Sequence, residues 1–256
     1  MATCAAVGQG VGTAAALALK AGVIPAEIAS SSELMRSIQQ RLLRDDAYLI
    51  GRPRADADDL APSVVVTASS EQAGGEAALV LSAQTRAVHG PDVVASAAAA
   101  NQWENVLAEI ATGKATALYT SAPPDRAAPG LHRWMSEPAA RLPATLELRW
   151  AAPVAASEVQ LIFDTGLHRF LTLSQADGYT ARMEWGRPQP ETVRDYRLVA
   201  KIGGEWRVIH NEVGNYQRRR VHRWAEPLPT VAALRLVVTA TNGLDHARVC
   251  EVRVYS

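Results

Sequence analysis

The sequence predicts an α+β protein, an N-terminal helical segment followed by a mostly antiparallel β-sandwich, and three observations carry that prediction. Residues 1–22 are almost free of charge, rich in Ala and Gly, and spaced as a helix. Residues 51–62, GRPRADADDLAP, have the Pro, Asp and Ala composition of a linker. Beyond them the apolar period changes from near 3.6 to 2. The expected organisation is helices over 1–50, a linker over 51–62 and a sandwich over 63–256 with a helical insertion near 83–130.

The first helix is expected from Ala2 to Lys20, with Gly22 supplying the left-handed residue that closes it. Gly8, Gly12 and Ala16 recur every four residues and form a smooth seam on one face. Interior Gly costs roughly 1 kcal/mol relative to Ala, so the seam implies a large partner at close approach. Lys20 interrupts the apolar run and no basic segment precedes it, so the stretch reads as a buried helix of a soluble protein and no membrane contact is expected. Leu34, Ile38 and Leu42, with Met35, form the stripe of a second, amphipathic helix with Ser32 as its N-cap.

The strands follow. Leu146, Leu148 and Trp150 alternate with Glu147 and Arg149; Val159, Leu161 and Phe163 with Gln160 and Asp164; Leu234, Leu236 and Val238 with Arg235 and Thr239. Tyr196, Leu198, Ala200 and Ile202 lead into Gly203-Gly204, which supplies the positive φ angles of a two-residue hairpin before Trp206 and Val208. The last strand places Cys250, Val252 and Val254 on one face. Within the insertion, Trp103, Val106, Leu107 and Ile110 have helical spacing ended by Gly113.

Charge and motifs exclude several functions. Twenty-six basic residues balance twenty-six acidic ones, so no global field draws in nucleic acid. Two cysteines at opposite ends of the chain form neither a disulfide scaffold nor a thiolate metal site and fit a reducing compartment such as the cytoplasm. Six histidines without paired spacing give a metal site little support, and Asp56-Ala57-Asp58-Asp59 lacks the Gly and distal Glu of a calcium loop. No nucleophile elbow is present. Arg218 to Arg223 is one basic cluster, and on a strand its residues divide between two faces and supply ion pairs.

GQGVG at 8–12 is not the dinucleotide fingerprint, which requires a preceding strand and tight turn. The run MATCAAVGQGVGTAAALA at 1–18, followed by QQRLLRD at 39–45, instead resembles the last helix of the flavin-binding domain in a family of bacterial FAD-dependent oxidoreductases. The resemblance implies an oxidoreductase that moves hydride or electrons through FAD. It places Met1, Ala2 and Thr3 nearest the flavin ring and Gly8, Gln9 and Gly12 in the close-packed seam. It also implies that the seam's partner is a FAD and substrate domain of the same polypeptide, N-terminal to Met1. On this expectation the chain binds FAD weakly or not at all by itself, is inactive alone, and contains no nameable catalytic residue.

ValThrAlaSerSerGlu at 66–71, HisArgTrpMetSerGluPro at 132–138, LeuProAlaThrLeuGluLeuArgTrp at 142–150 and the closing AlaArgValCysGluValArgValTyr are similar to a discoidin-type, galactose-binding-like jelly roll. That resemblance implies the alternative function, a non-catalytic module recognising a carbohydrate or a partner domain. Exposure of Trp134 and Arg133 beside a loop-built concavity favours this alternative, and burial of Trp134 weakens it.

Overall fold

A computed structural model describes residues 2–49, 52, 54–83, 133–166 and 187–256. The expected insertion helix around Trp103 lies outside them. The chain separates into two compact units, Met1–Ala57 and Asp58–Ser256.

The first unit holds α1 (Ala2–Ala21), α2 (Pro25–Ser30) and α3 (Ser32–Arg44). Gly22 takes φ +68° and ends α1. Pro25 opens α2, where its missing N–H has no helical partner to lose. The N-cap of α3 is Ser31, one residue before the expected Ser32, and its hydroxyl accepts from the Leu34 amide at 3.3 Å. Ala18, Ile28, Ile38 and Leu42 form a small core, joined by Ala14, Leu17 and Leu34.

Contrary to the expectation of a buried helix, α1 is largely exposed: it packs on α3 along one edge, and Val7, Val11 and Leu19 face outward. The window Cys4–Ala21, with mean hydropathy 1.2, is long and apolar enough to cross a membrane, and 6% of it is buried. The seam stands open. A Cβ added to Gly8 or Gly12 meets nothing within 4 Å. Gly12→Ala therefore removes backbone entropy from the unfolded chain without a clash, and urea denaturation of the N-terminal helices is expected to show a gain of roughly 0.5–1 kcal/mol. A loss would mean that something packs on that face.

Among the described residues, the second unit is one antiparallel sheet folded onto itself. Its strands are β1 (Val65–Ala68), β2 (Trp134–Met135), β3 (Ala144–Phe163), β4 (Val193–Ile202), β5 (Glu205–Glu212), β6 (Arg219–Thr241) and β7 (Arg248–Tyr255). The sheet order is β2-β7-β3-β6-β4-β5, with β1 on the remaining edge of β3.

Strands β3 and β6, of 20 and 23 residues, each serve two layers. Residues 144–149 of β3 and 231–241 of β6 lie in a layer with β1, β4 and β5; residues 158–163 and 219–223 lie in a layer with β7 and β2. Register shifts at Arg149/Val154, Val154/Ala156 and Ala156/Glu158 turn the corner between them. The layers face one another. Phe163 of one and Tyr196 of the other bring ring centroids to 5.2 Å, inside a core that includes Leu146, Leu148, Leu161, Leu198, Leu236 and Val252.

The hairpin forms as its glycines predict, with Ile202 opposite Glu205 and Gly203 and Gly204 at φ +60° and +89°. Two expectations are corrected. Residues 158–163 of β3 do not alternate, because both faces are covered: Glu158, Gln160 and Ile162 are as buried as Val159, Leu161 and Phe163. Cys250 does not share the face of Val252 and Val254. The pairing shifts between Ile162↔Glu251 and Phe163↔Val249, so Cys250 is the extra residue and Val249 enters the core.

Candidate functional site

One end of the sandwich collects the C-terminus of β3, the N-terminus of β4 and the turn from β5 to β6, joined by hydrogen bonds from Arg218 to the Phe163 carbonyl and from Asn215 to the Val193 carbonyl, and a cluster of ionisable side chains meets there. Strand period 2 places His210 and Glu212 on one face of β5. His222 and Arg220, two apart on β6, meet them from the opposing layer. His210 Nε2 lies 3.1 Å from Glu212 Oε2, and Arg220 donates to the same oxygen at 2.5 Å. The rings of His210 and His222 are 4.0 Å apart, and His222 Nε2 lies 2.9 Å from the Tyr196 hydroxyl.

The cluster grades from wet to dry. Side chains of His210, Arg220 and Glu212 are 32%, 27% and 16% exposed, whereas His222 and Tyr196 are buried. Burial pushes the Tyr196 phenol well above its ordinary range, so it stays protonated. Burial, with the adjacent His210 and Arg220, lowers His222 to about 4, and only Glu212 opposes the shift. The Glu212 carboxyl is held below its usual range, since hydrogen bonds and charge from His210 and Arg220 outweigh its partial desolvation.

The His222 shift makes stability depend on pH. Above pH 6.5 the imidazole is neutral whether the chain is folded or not. Below it the unfolded chain takes up a proton that the folded site excludes down to about 4, so stability falls as pH drops through that window by on the order of 3 kcal/mol. Denaturant melts of the wild type and His222→Gln at pH 7 and pH 4.5 check this, with the variant expected to lose less on acidification.

The turn beside this cluster is held rigidly. Asn215 is buried and donates through Nδ2 to the Val193 and Gln217 carbonyls at 2.7 and 3.1 Å, while its own carbonyl accepts from Asn242 Nδ2 at 3.0 Å. Asp195 Oδ1 accepts from the Gly214 amide at 2.9 Å, with Gly214 at φ +76°. Between these anchors Tyr216 is 66% exposed. The next side chain, Gln217, accepts from Arg220 Nη1 at 2.9 Å. The turn that joins Glu212 to Arg220 thus carries an exposed aromatic, and its next residue, Gln217, is tied to the cluster through Arg220.

A second ionic group at this end is structural. Asp164 Oδ2 lies 3.1 Å from Arg133 Nη1 and 3.6 Å from Arg248 Nη1, and all three side chains are at most 4% exposed. Arg248 Nε donates to His246 Nε2 at 3.0 Å. Trp134 is fully buried, its indole N–H donating to the Ser70 carbonyl at 3.1 Å. Trp134 and Arg133 therefore belong to the core and its ion pairs, and neither forms an exposed sugar platform.

The residues singled out from the sequence lie elsewhere. Met1 is outside the described residues, and Ala2 and Thr3 begin α1. Gly8, Gln9 and Gly12 line a shallow groove of ≈ 540 Å³ with Ala16, Lys20 and Arg41. Of the cluster between Arg218 and Arg223, the described contacts are ion pairs and hydrogen bonds: Arg223 with Glu158 at 2.5 Å, Arg220 with Glu212, and Arg218 with the Phe163 carbonyl at 2.9 Å. Sequence reasoning missed His210, Glu212 and His222. The one signal for them was the i, i+2 spacing of His210 and Glu212 on a predicted strand.

No protein family model matches the chain, and neither does any curated protein. Solved structures do. The family 32 carbohydrate-binding module of NanJ from Clostridium perfringens, in complex with galactose, aligns with TM-score 0.48 and 9% identity over 78% of this chain and 98% of that one. A second Clostridium perfringens family 32 module, in complex with GalNAc-β-1,3-galactose, aligns with TM-score 0.46 and 11% identity over 77% and 99%. A Streptococcus pneumoniae fucose-binding module gives 0.44 and 10% over 77% and 97%.

These findings correct the expectation of an enzyme. The three structures named here, to which this chain is similar, are two carbohydrate-binding modules and a fucose-binding module, none of them a FAD-dependent oxidoreductase. What the chain's own strands define is a short helical segment followed by an antiparallel β-sandwich.

Proposed function

We propose that the sandwich unit is a non-catalytic carbohydrate-binding module whose ligand lies at the turn from β5 to β6. The observation that carries this reading is Tyr216, an exposed aromatic on a turn pinned by Asn215, in the connection between His210 and Glu212 at the end of β5 and Arg220 at the start of β6. A pyranose presents an apolar C–H face and a rim of hydroxyls. The aromatic ring accepts the first, and planar charged groups, each both fixed and partly wet, accept and donate to the second. Because the turn is already ordered, binding costs little conformational entropy.

The neighbouring structures named above hold galactose, a galactosamine-containing disaccharide and, in the third case, belong to a fucose-binding protein. For this chain, galactose- and fucose-containing oligosaccharides are the first probes. Calorimetric titration of the full chain with them, together with a glycan array, tests the reading. Saturable binding that is lost on changing Tyr216 or Arg220 supports it; an array without a single bound glycan overturns it.

A further inference from the structure

We propose that His210, Glu212 and His222 form a three-ligand site for a borderline divalent transition metal, Zn²⁺ being the best fit. One ligand atom from each residue lies within 4.8 Å of the others. Two imidazole nitrogens and one carboxylate oxygen are a donor set suited to zinc and poorly suited to calcium or magnesium, which take oxygen ligands. Zinc bonds of about 2.0–2.1 Å at tetrahedral angles put ligand atoms roughly 3.3 Å apart. His210 Nε2 and Glu212 Oε2 already lie 3.1 Å apart, so they need only close on His222, by at most about 1.5 Å. The partly exposed His210 and Glu212 side chains have room to do so, while buried His222 stays in place.

The surroundings prepare the ligands. Tyr196 has a partner in His222 Nε2 at 2.9 Å, and in the tautomer whose Nε2–H donates to the phenolic oxygen, Nδ1 keeps its lone pair for a metal. Among the described residues, the cation facing the two imidazoles and the carboxylate is Arg220, on Glu212 Oε2 at 2.5 Å. A metal ion displaces that guanidinium from the carboxylate and takes its place as the counter-charge. Three protein ligands leave a fourth position for water, so the site is open.

The inference does not rest on sugar recognition, and its test contains no sugar. The full chain, carrying Cys4→Ser because Cys4 is an exposed free thiol, is titrated with Zn²⁺ by calorimetry and with Co²⁺ by visible absorption. The expected result is one equivalent of each metal, with Co²⁺ d–d bands and no thiolate charge-transfer band.

His210→Ala and Glu212→Gln are each expected to weaken binding at least tenfold, whereas Arg220→Met, which removes the competing cation, strengthens it severalfold. That last variant separates a metal site from a structural hydrogen-bond network, which it would only weaken. Absence of Co²⁺ d–d bands, or an affinity unchanged in His210→Ala, overturns the proposal. Folding of each variant is checked by its near-ultraviolet circular dichroism, and if Glu212→Gln fails to fold, the half-exposed His210→Ala decides alone.

Discussion

Asp164→Asn is expected to destabilise the sandwich by about 3–5 kcal/mol, the cost of leaving buried charge uncompensated. Arg133 and Arg248 converge on Asp164 Oδ2 at 3.1 and 3.6 Å with side chains 4% and 0% exposed. Burial and the like charge of Arg133 already press the Arg248 guanidinium downward in pKa, and Asp164 and Glu191 are the groups that hold it charged. Asn keeps the shape, but its Nδ2 is a donor set against the Gly166 amide or the guanidinium N–H groups, so the change removes both the charge and one acceptor. Over roughly 200 residues such a change lowers Tm by about 10 °C. Thermal melts of the wild type and the variant measure it, and a shift below 2 °C would show that water already compensates the arginines. Removing one cation alongside the anion, as in Arg133→Met with Asp164→Asn, is expected to recover part of the loss.

Arg220→Ala is expected to weaken saccharide binding roughly 10- to 100-fold, the range for losing hydrogen bonds from a charged group, about 1.5–3 kcal/mol. Its side chain ties the two halves of the site together, reaching Glu212 on β5 and Gln217 in the turn. Tyr216→Ala removes the stacking face and should cost a comparable factor without unfolding the chain, since that ring is mostly exposed. The outer face of the sheet offers the contrasting location: Arg235 stacks 3.8 Å above the Trp206 ring and pairs with Glu147 at 2.6 Å. Calorimetry on Trp206→Ala should leave affinity unchanged. Loss of binding there with retention in Arg220→Ala would move the site to that face.

Local features were legible where a local cause sufficed. Gly203-Gly204 needs no partner to favour a tight turn, and residues 144–150 alternate because one face meets the core and the other meets solvent. The same rule failed at residues 158–163, where the second face is also covered. It failed at Cys250 because a single extra residue in β7 reverses which side chains point inward. Trp134 read as a possible platform because a sequence shows an aromatic without showing its cover; in the fold it is fully buried.

The candidate site was illegible for a different reason. His210 and Glu212 belong to β5, His222 and Arg220 to β6, and Tyr196 to β4, yet β5 and β6 are not neighbours in this part of the sheet. They meet because β6 crosses between layers, so twenty-six residues of separation between Tyr196 and His222 collapse to 2.9 Å.

By itself the sequence determined the class, helices then antiparallel strands, because periodicity, turn glycines and charge balance act over a few residues and are written in their order. Only the tertiary structure decided which aromatic is exposed, which arginines are neutralised and which histidines meet. Those outcomes depend on burial and on distances between layers, and both arise only once the two long strands have bent and closed over the core.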